Sequence, residues 1–181
     1  MKTSSSTVIG LLTLVGSLMG CASSSAVEMP EVPEALRPPP DQELFLEALA
    51  TGVQIYECTA TQDKPPHFQW VFKAPEAELF DRAGRKIGKH YAGPTWESTD
   101  GSKVVGEVKA RYGGPDASAI PWLLLNAKSV TGKGTFAQTK SIQRVRTEGG
   151  SSPSESCGPA QVRHVVRVPY RATYYFYTSK P

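Results

Sequence analysis

The chain has 181 residues, 39% of them hydrophobic, and 20 Lys and Arg against 17 Asp and Glu give a formal net charge of +3. That is the size and apolar content of one folded domain, and 15 prolines with 16 glycines are too few for a collagenous or disordered chain yet enough for many turns. Near-balanced charge, with the longest basic groupings at Arg82, Arg85, Lys86, Lys89 and at Arg144, Arg146, argues against nucleic acid as a partner, because no cationic face is dense enough to displace counterions.

Lys2 supplies a positive n-region, residues 8–19 form an apolar run broken only by small or weakly polar residues, and Leu18-Met19-Gly20-Cys21 follows. A run of about twelve residues is too short to cross a hydrocarbon core of ~30 Å, so residues 1–20 read as a signal peptide. Leu-x-Gly-Cys resembles the lipobox of bacterial lipoproteins. The resemblance implies a diacylglycerol on the Cys21 thiol, cleavage before it and acylation of the new amino group, and two or more chains anchor stably where one is marginal. Ala22 and Ser23 stand where inner-membrane lipoproteins often carry Asp, so the expected address is the cell envelope, tethered through Cys21 to the outer membrane and facing the periplasm. Ordinary secretion, with cleavage near residues 22–26, is the alternative.

Residues 21–41 hold Pro30, Pro33, Pro38, Pro39 and Pro40, a composition that prefers extended polyproline conformation. They form a linker expected to act as a semi-rigid stalk, although such segments can also lie along the domain surface. Cys58 and Cys157 remain after acylation of Cys21, and an oxidising compartment makes one bridge between them the economical pairing; two separate reduced thiols are the other reading. Neither cysteine has the spacing of a redox or zinc motif.

The domain spans residues 42–181. Residues 44–50 are a helical turn or a strand, read as a strand. Residues 53–58 alternate Val53, Ile55 and Glu57, taken as inward, against Gln54, Tyr56 and Cys58. Residues 67–73 form a strand ended by Pro75. Residues 79–81 and 86–90 flank Arg82-Ala83-Gly84-Arg85, and residues 95–98 and 103–112 flank Asp100-Gly101, both hairpin signatures. Val104, Gly106, Val108, Ala110 and Tyr112 share one face of the second arm.

Residues 120–126 are apolar on both faces, a buried central element. Residues 128–135 are turn-like. Residues 136–147 form a strand in which Ile142 and Val145 are out of phase as a bulge would make them. Residues 148–159 are a loop, and residues 165–168 and 171–178 close the chain, with Tyr174, Tyr175, Phe176 and Tyr177 on both faces. About nine or ten short strands without a convincing helix predict an all-β domain, a β-sandwich by preference with a closed β-barrel as the alternative.

Taken together, Gly52-Val-Gln-Ile-Tyr-Glu-Cys58, Gly88-x-His90-x-x-Gly93-Pro94-x-Trp96, Asp100-Gly101-Ser102-x-Val104-x-Gly106, Ile120-Pro-Trp-Leu-Leu-Leu125, Ile142-Gln-Arg144, Gly149-Gly150 and Val168-Pro-Tyr170 resemble the uncharacterised family known as domain of unknown function 3455, found in bacterial and fungal secreted proteins. The resemblance covers nearly all of residues 42–181. It implies a shared fold and an exported setting, and no activity.

The densest polar and aromatic constellation is His90, Tyr91, Trp96, Glu97, Asp100 and Ser102. His90 is a candidate general base, with Asp100 or Glu97 to orient it and Trp96 as a platform for a flat ligand; the bland alternative makes His90 and Trp96 packing residues beside a turn. His67, His90 and His164 lack metal-ligand spacing, so no metal and no cofactor are expected. Ser102 lies in no nucleophile elbow. The leading reading is a non-enzymatic, lipid-anchored binding or envelope-structural domain with contacts at His90, Trp96, Asp100 and Trp122, meeting the membrane through Cys21 and an envelope glycan or protein. The alternative is a hydrolase-like or carbohydrate-active enzyme using His90 with Asp100 or Glu97.

Overall fold

Period-two patterning carries this chain through one antiparallel meander. The computed structural model describes residues 29–181; the signal peptide and Cys21 lie outside the described residues. Eight strands follow in order among the described residues: β1 Gln42–Ala60, β2 Phe68–Phe80, β3 Lys86–Tyr91, β4 Thr95–Ser98, β5 Lys103–Tyr112, β6 Trp122–Thr131, β7 Ser141–Gly149 and β8 Val165–Ser179. The domain is all-β, as expected, with residues 44–50 and 53–58 fused into the single long β1. Each strand pairs with the next and β8 returns to β1, so of the two architectures left open by the sequence the pairing is that of the closed barrel.

Closure gives the sheet an inside, and the inside holds the main core, including Leu79, Trp96, Val104, Leu125, Ile142 and Phe176. A second buried cluster, Leu36, Trp122, Leu124, Val145, Tyr175 and Tyr177, covers the outer face of β6, β7 and β8. This explains the doubly apolar stretches: Leu123, Leu125, Tyr174 and Phe176 face in, while Trp122, Leu124, Tyr175 and Tyr177 face out.

The same two-sided burial accounts for Ile142 and Val145. Their register with Phe176 and Thr173 is uninterrupted, so they lie on opposite faces, both covered, and no bulge separates them. The irregularity comes afterwards, between Val145 and Glu148, where Arg146 has φ 49°.

The cover for the outer face is the Pro-rich segment itself. Residues 29–41 lie along the barrel and do not project from it as a stalk: Leu36, in a short 3-10 turn, is fully buried. Gln143 Nε2 donates to Leu36 O at 2.8 Å, and Lys180 Nζ donates to Pro40 O at 2.6 Å. Both anchors take up carbonyls that an extended polyproline chain leaves without an internal partner.

The alternation expected in β1 is inverted. Gln54, Tyr56 and Cys58 are the buried, inward set, because Tyr56 OH donates to Gly150 O at 2.7 Å and Cys58 is bonded to Cys157, contacts worth more here than burying Val53 or Ile55. In β5 an extra residue shifts the register between Val108 and Ala110. Val104 joins the interior core while Ala110 packs on the outer cluster, so the five apolar positions do not share a face. β2 runs on through Pro75, which pairs only with β1; a missing donor is tolerated where no second neighbour asks for it.

The Cys58–Cys157 bridge spans a sequence separation of 99 with Cα atoms 6.0 Å apart. For a loop of this length the chain-entropy estimate is about 4–5 kcal/mol. Replacing both cysteines by Ala is expected to lower the urea-unfolding free energy by an amount of that order, and a loss below about 1 kcal/mol would show that the bridge does not restrain the unfolded chain. Leu36→Ala should cost about 2–5 kcal/mol, the range for a fully buried leucine. An unchanged urea midpoint would mean that the Pro-rich segment is a loose tether and no part of the folded unit.

Candidate functional site

Unequal strand lengths open the barrel wall. β3 pairs with β2 only over Ala77–Phe80, and β4 pairs with β5 only over Lys103–Val105. Below the β3–β4 turn, β2 has β1 as its one paired neighbour and β5 has β6. The edges of β2 and β5 therefore face each other across a window, and behind it lies a cavity of about 310 Å³. That is at the small end of the roughly 300–1,000 Å³ typical of small-molecule sites.

Apolar walls come from Trp96, Ile120, Leu123 and Leu125. Phe72 and Val108 stand at the mouth, 49% and 42% exposed, beside Lys73 and Arg111. The β5 register shift puts Arg111 there: it pairs with Leu123, an interior residue, whereas Ala110 pairs with the outer Leu124. Such bulges re-aim side chains next to sites.

The deep end is polar. His90 stacks on Trp96 with ring centroids 4.3 Å apart, and both rings meet Tyr174 edge-on. His90 Nδ1 is 2.9 Å from Thr95 O; a carbonyl only accepts, so Nδ1 carries the proton and Nε2 keeps a lone pair. Burial drives the His90 pKa down to about 3, the Thr95 hydrogen bond raising it and the nearby charge of Arg144 lowering it. Arg144 donates from Nε and Nη2 to Pro121 O, at 3.0 and 2.8 Å. Tyr56, Tyr170 and Tyr174 are pushed up by burial, with Arg144 working against it in each case.

Gln54, Trp96 and Tyr174 line this cavity, and their Nε2, Nε1 and OH are buried with no hydrogen-bond partner among the described residues. Tyr174 OH lies close to Tyr170 and Arg144 without reaching either in normal hydrogen-bond geometry. Buried polar groups normally find partners, and each one that does not costs about 1–3 kcal/mol.

Of the residues singled out from the sequence, the fold brings His90 and Trp96 together at the cavity and pairs Asp100 with Ser102 and Glu97 with Tyr91 away from them. Asp100 sits in the β4–β5 turn, exposed, where Oδ1 accepts from Ser102 N and Oγ at 2.8 and 2.6 Å and Oδ2 accepts from Thr135 N and Oγ1 at 2.8 and 2.7 Å. These bonds, the Ser102 hydroxyl's foremost, hold its carboxyl far below the usual range. A Cβ on Gly134 would come within 2.5 Å of Asp100, so this clamp requires glycine there.

Glu97 accepts from Tyr91 OH at 2.7 Å and pairs with Lys89 and Lys103, the tyrosine bond doing most to lower its pKa. Trp122 belongs to the outer cluster beneath Leu36. His67 closes the β1–β2 turn and His164 precedes β8. No group of three or more potential metal ligands occurs among the described residues.

Gln54 and Arg144 are site residues that sequence reasoning did not single out, and Tyr174 reads from the sequence chiefly as core. One signal was available: Gln54 and Tyr56 share their strand face with Cys58, a half-cystine that has to be inside. Nothing local marks Arg144, whose inward direction depends on the outer cluster claiming Gln143 and Val145.

A family model described as "Protein of unknown function (DUF3455)" matches residues 39–178. No curated protein and no solved structure matches the chain.

His90 makes the fold sensitive to acid. Its pKa is near 6.5 in the unfolded chain and about 3 in the barrel, so below pH 6.5 the unfolded state takes up a proton that the folded state refuses. The stability it contributes is complete above pH 6.5 and is lost as the pH falls toward 3, by at most about 5 kcal/mol. His90→Phe, which keeps a stacking ring, is expected to lose about 1–3 kcal/mol at pH 7.5 by stranding Thr95 O and to show a shallower fall between pH 6.5 and 4.5. Parallel stability curves for the two proteins over that range would refute the assignment.

Proposed function

The chain belongs to the DUF3455 family of proteins of unknown function, and we propose that its barrel is a non-enzymatic binding domain that takes a small molecule through the window between β2 and β5. The observation that carries this reading is that three residues lining one cavity, Gln54, Trp96 and Tyr174, each hold a buried polar atom without a partner among the described residues. Apolar walls with a few convergent polar groups are the usual make-up of a ligand site. Catalysis by His90 with Asp100 or Glu97 lacks support, since neither carboxylate reaches the imidazole: Asp100 is held by Ser102 and Thr135 and Glu97 by Tyr91.

The binding domain acts, in this proposal, outside the cytoplasm and tethered by lipid on Cys21. The Leu-x-Gly-Cys motif supports this, as does the Cys58–Cys157 disulfide, which belongs to an oxidising compartment. Intact mass of membrane-extracted protein tests it: an acylated chain beginning at Cys21 is the expected result, and an unacylated mature chain beginning beyond residue 21 would overturn it.

N-phenyl-1-naphthylamine, a neutral dye that brightens in apolar cavities, tests the site itself. One dye per chain is expected, and Val108→Trp, a change at the exposed mouth, should weaken binding at least about tenfold while the melting temperature holds. No dye binding, or binding indifferent to the Val108 substitution, would sink the proposal.

A further inference from the structure

We infer that the ligand is a small amphipathic anion, an organic carboxylate with an apolar or aromatic body, whose carboxylate is received by Arg144; this rests on the cavity reading above. Charge and hydrogen-bond direction on the cavity wall make the argument. The lining includes Arg144, Arg111 and Lys73 and contains no Asp or Glu. Lys73 is already paired with Glu57 at 3.3 Å, outside the cavity. Arg144 and Arg111 make no ion pair among the described residues.

Arg144 is half-buried, and Pro121 O takes only two of the five guanidinium N–H donors. A cation withdrawn this far from water is ordinarily matched by an anion, and a planar fork is the geometry that receives a carboxylate on two bonds.

The unpartnered groups agree in direction. Gln54 Nε2 and Trp96 Nε1 are obligate donors, and Tyr174 OH can donate. A ligand complementary to this wall is rich in acceptors at its polar end. Ile120, Leu123, Leu125 and Phe72 offer only apolar surface, so the rest of the molecule is apolar, and the volume of about 310 Å³ restricts it to a small molecule. Arg111 at the exposed mouth adds a second positive charge on the way in, which raises the local concentration of anions.

Two isosteric probes test the inference: 1-naphthoate, ionised at pH 7.5, and its neutral amide, 1-naphthamide, each displacing N-phenyl-1-naphthylamine from the wild-type protein. Naphthoate is expected to displace the dye at a concentration at least about tenfold lower than naphthamide, with the ratio shrinking as salt is raised. Arg144→Gln should reduce the ratio to within about twofold, and Arg111→Gln should reduce it partially.

Equal displacement by the two probes in the wild type would overturn the anion reading while leaving the cavity reading intact, whereas failure of the dye to bind would remove both. An undiminished ratio in a folded Arg144→Gln protein would overturn the role of Arg144. Should that variant not fold, the wild-type ratio decides the charge question and Arg144→Lys decides the residue: a ratio at or above the wild-type value refutes the guanidinium fork.

Discussion

The ladder between the first and last strands is the constraint on which this structure depends. β1 and β8 pair from Gln42 opposite Ser179 to Glu57 opposite Val165, so the two ends of the domain are committed to one another before the meander has an inside. Without that ladder the row Tyr170, Ala172, Tyr174 and Phe176 would face water on an open sheet. With it, the row is the barrel's core. The disulfide acts on the same region, fixing the end of β1 to the loop that precedes β8, so the part of the ladder most prone to fray is held covalently.

A barrel closed this way tolerates a short pair of strands in its wall. β3 and β4 are 6 and 4 residues long, against 19 and 13 for β1 and β2, and the difference leaves the window between β2 and β5. Free sheet edges invite pairing with other chains. Here the β2 edge carries Pro75, which cannot donate, and register shifts at Ile55/Tyr56 and Val108/Ala110 twist both edges. These devices discourage an added strand at the opening.

Much of the fold was legible in the sequence, because turns and hairpins are written locally. Asp100-Gly101 and Arg82-Ala83-Gly84-Arg85 lie where hairpins form, Gly101 and Gly84 taking φ of 85° and 76°. Inward and outward were harder. Alternation reports which residues share a face, not which face is inside, and in β1 the polar set Gln54, Tyr56 and Cys58 proved to be the inner one. In β6 to β8 both faces are buried, one by barrel closure and one by Leu36 arriving from more than 80 residues away. A segment whose composition suggests a stalk gave no local sign of that contact.

The candidate site was half legible for the same reason. His90 and Trp96 are six residues apart across one turn, so a hairpin reading brings them together. Asp100 belongs to the same stretch of sequence, yet it stands past the other end of β4 and clamps the turn that follows. Arg144 and Tyr174 are register partners on β7 and β8, and only the closure of β8 onto β1 brings Gln54 to them.

Their chemistry is a departure from what a core tends toward. A half-buried guanidinium and several unpartnered donors are expensive for a chain of this size, each donor about 1–3 kcal/mol, while ordinary apolar side chains in the same places would stabilise it. A covalent bridge, the long ladder between β1 and β8 and a Leu-anchored strap supply stability away from the cavity. In the proposed binding role, an interior that holds a guanidinium without an ion pair and donors without acceptors would be pre-organised for a molecule that brings the acceptors and the charge.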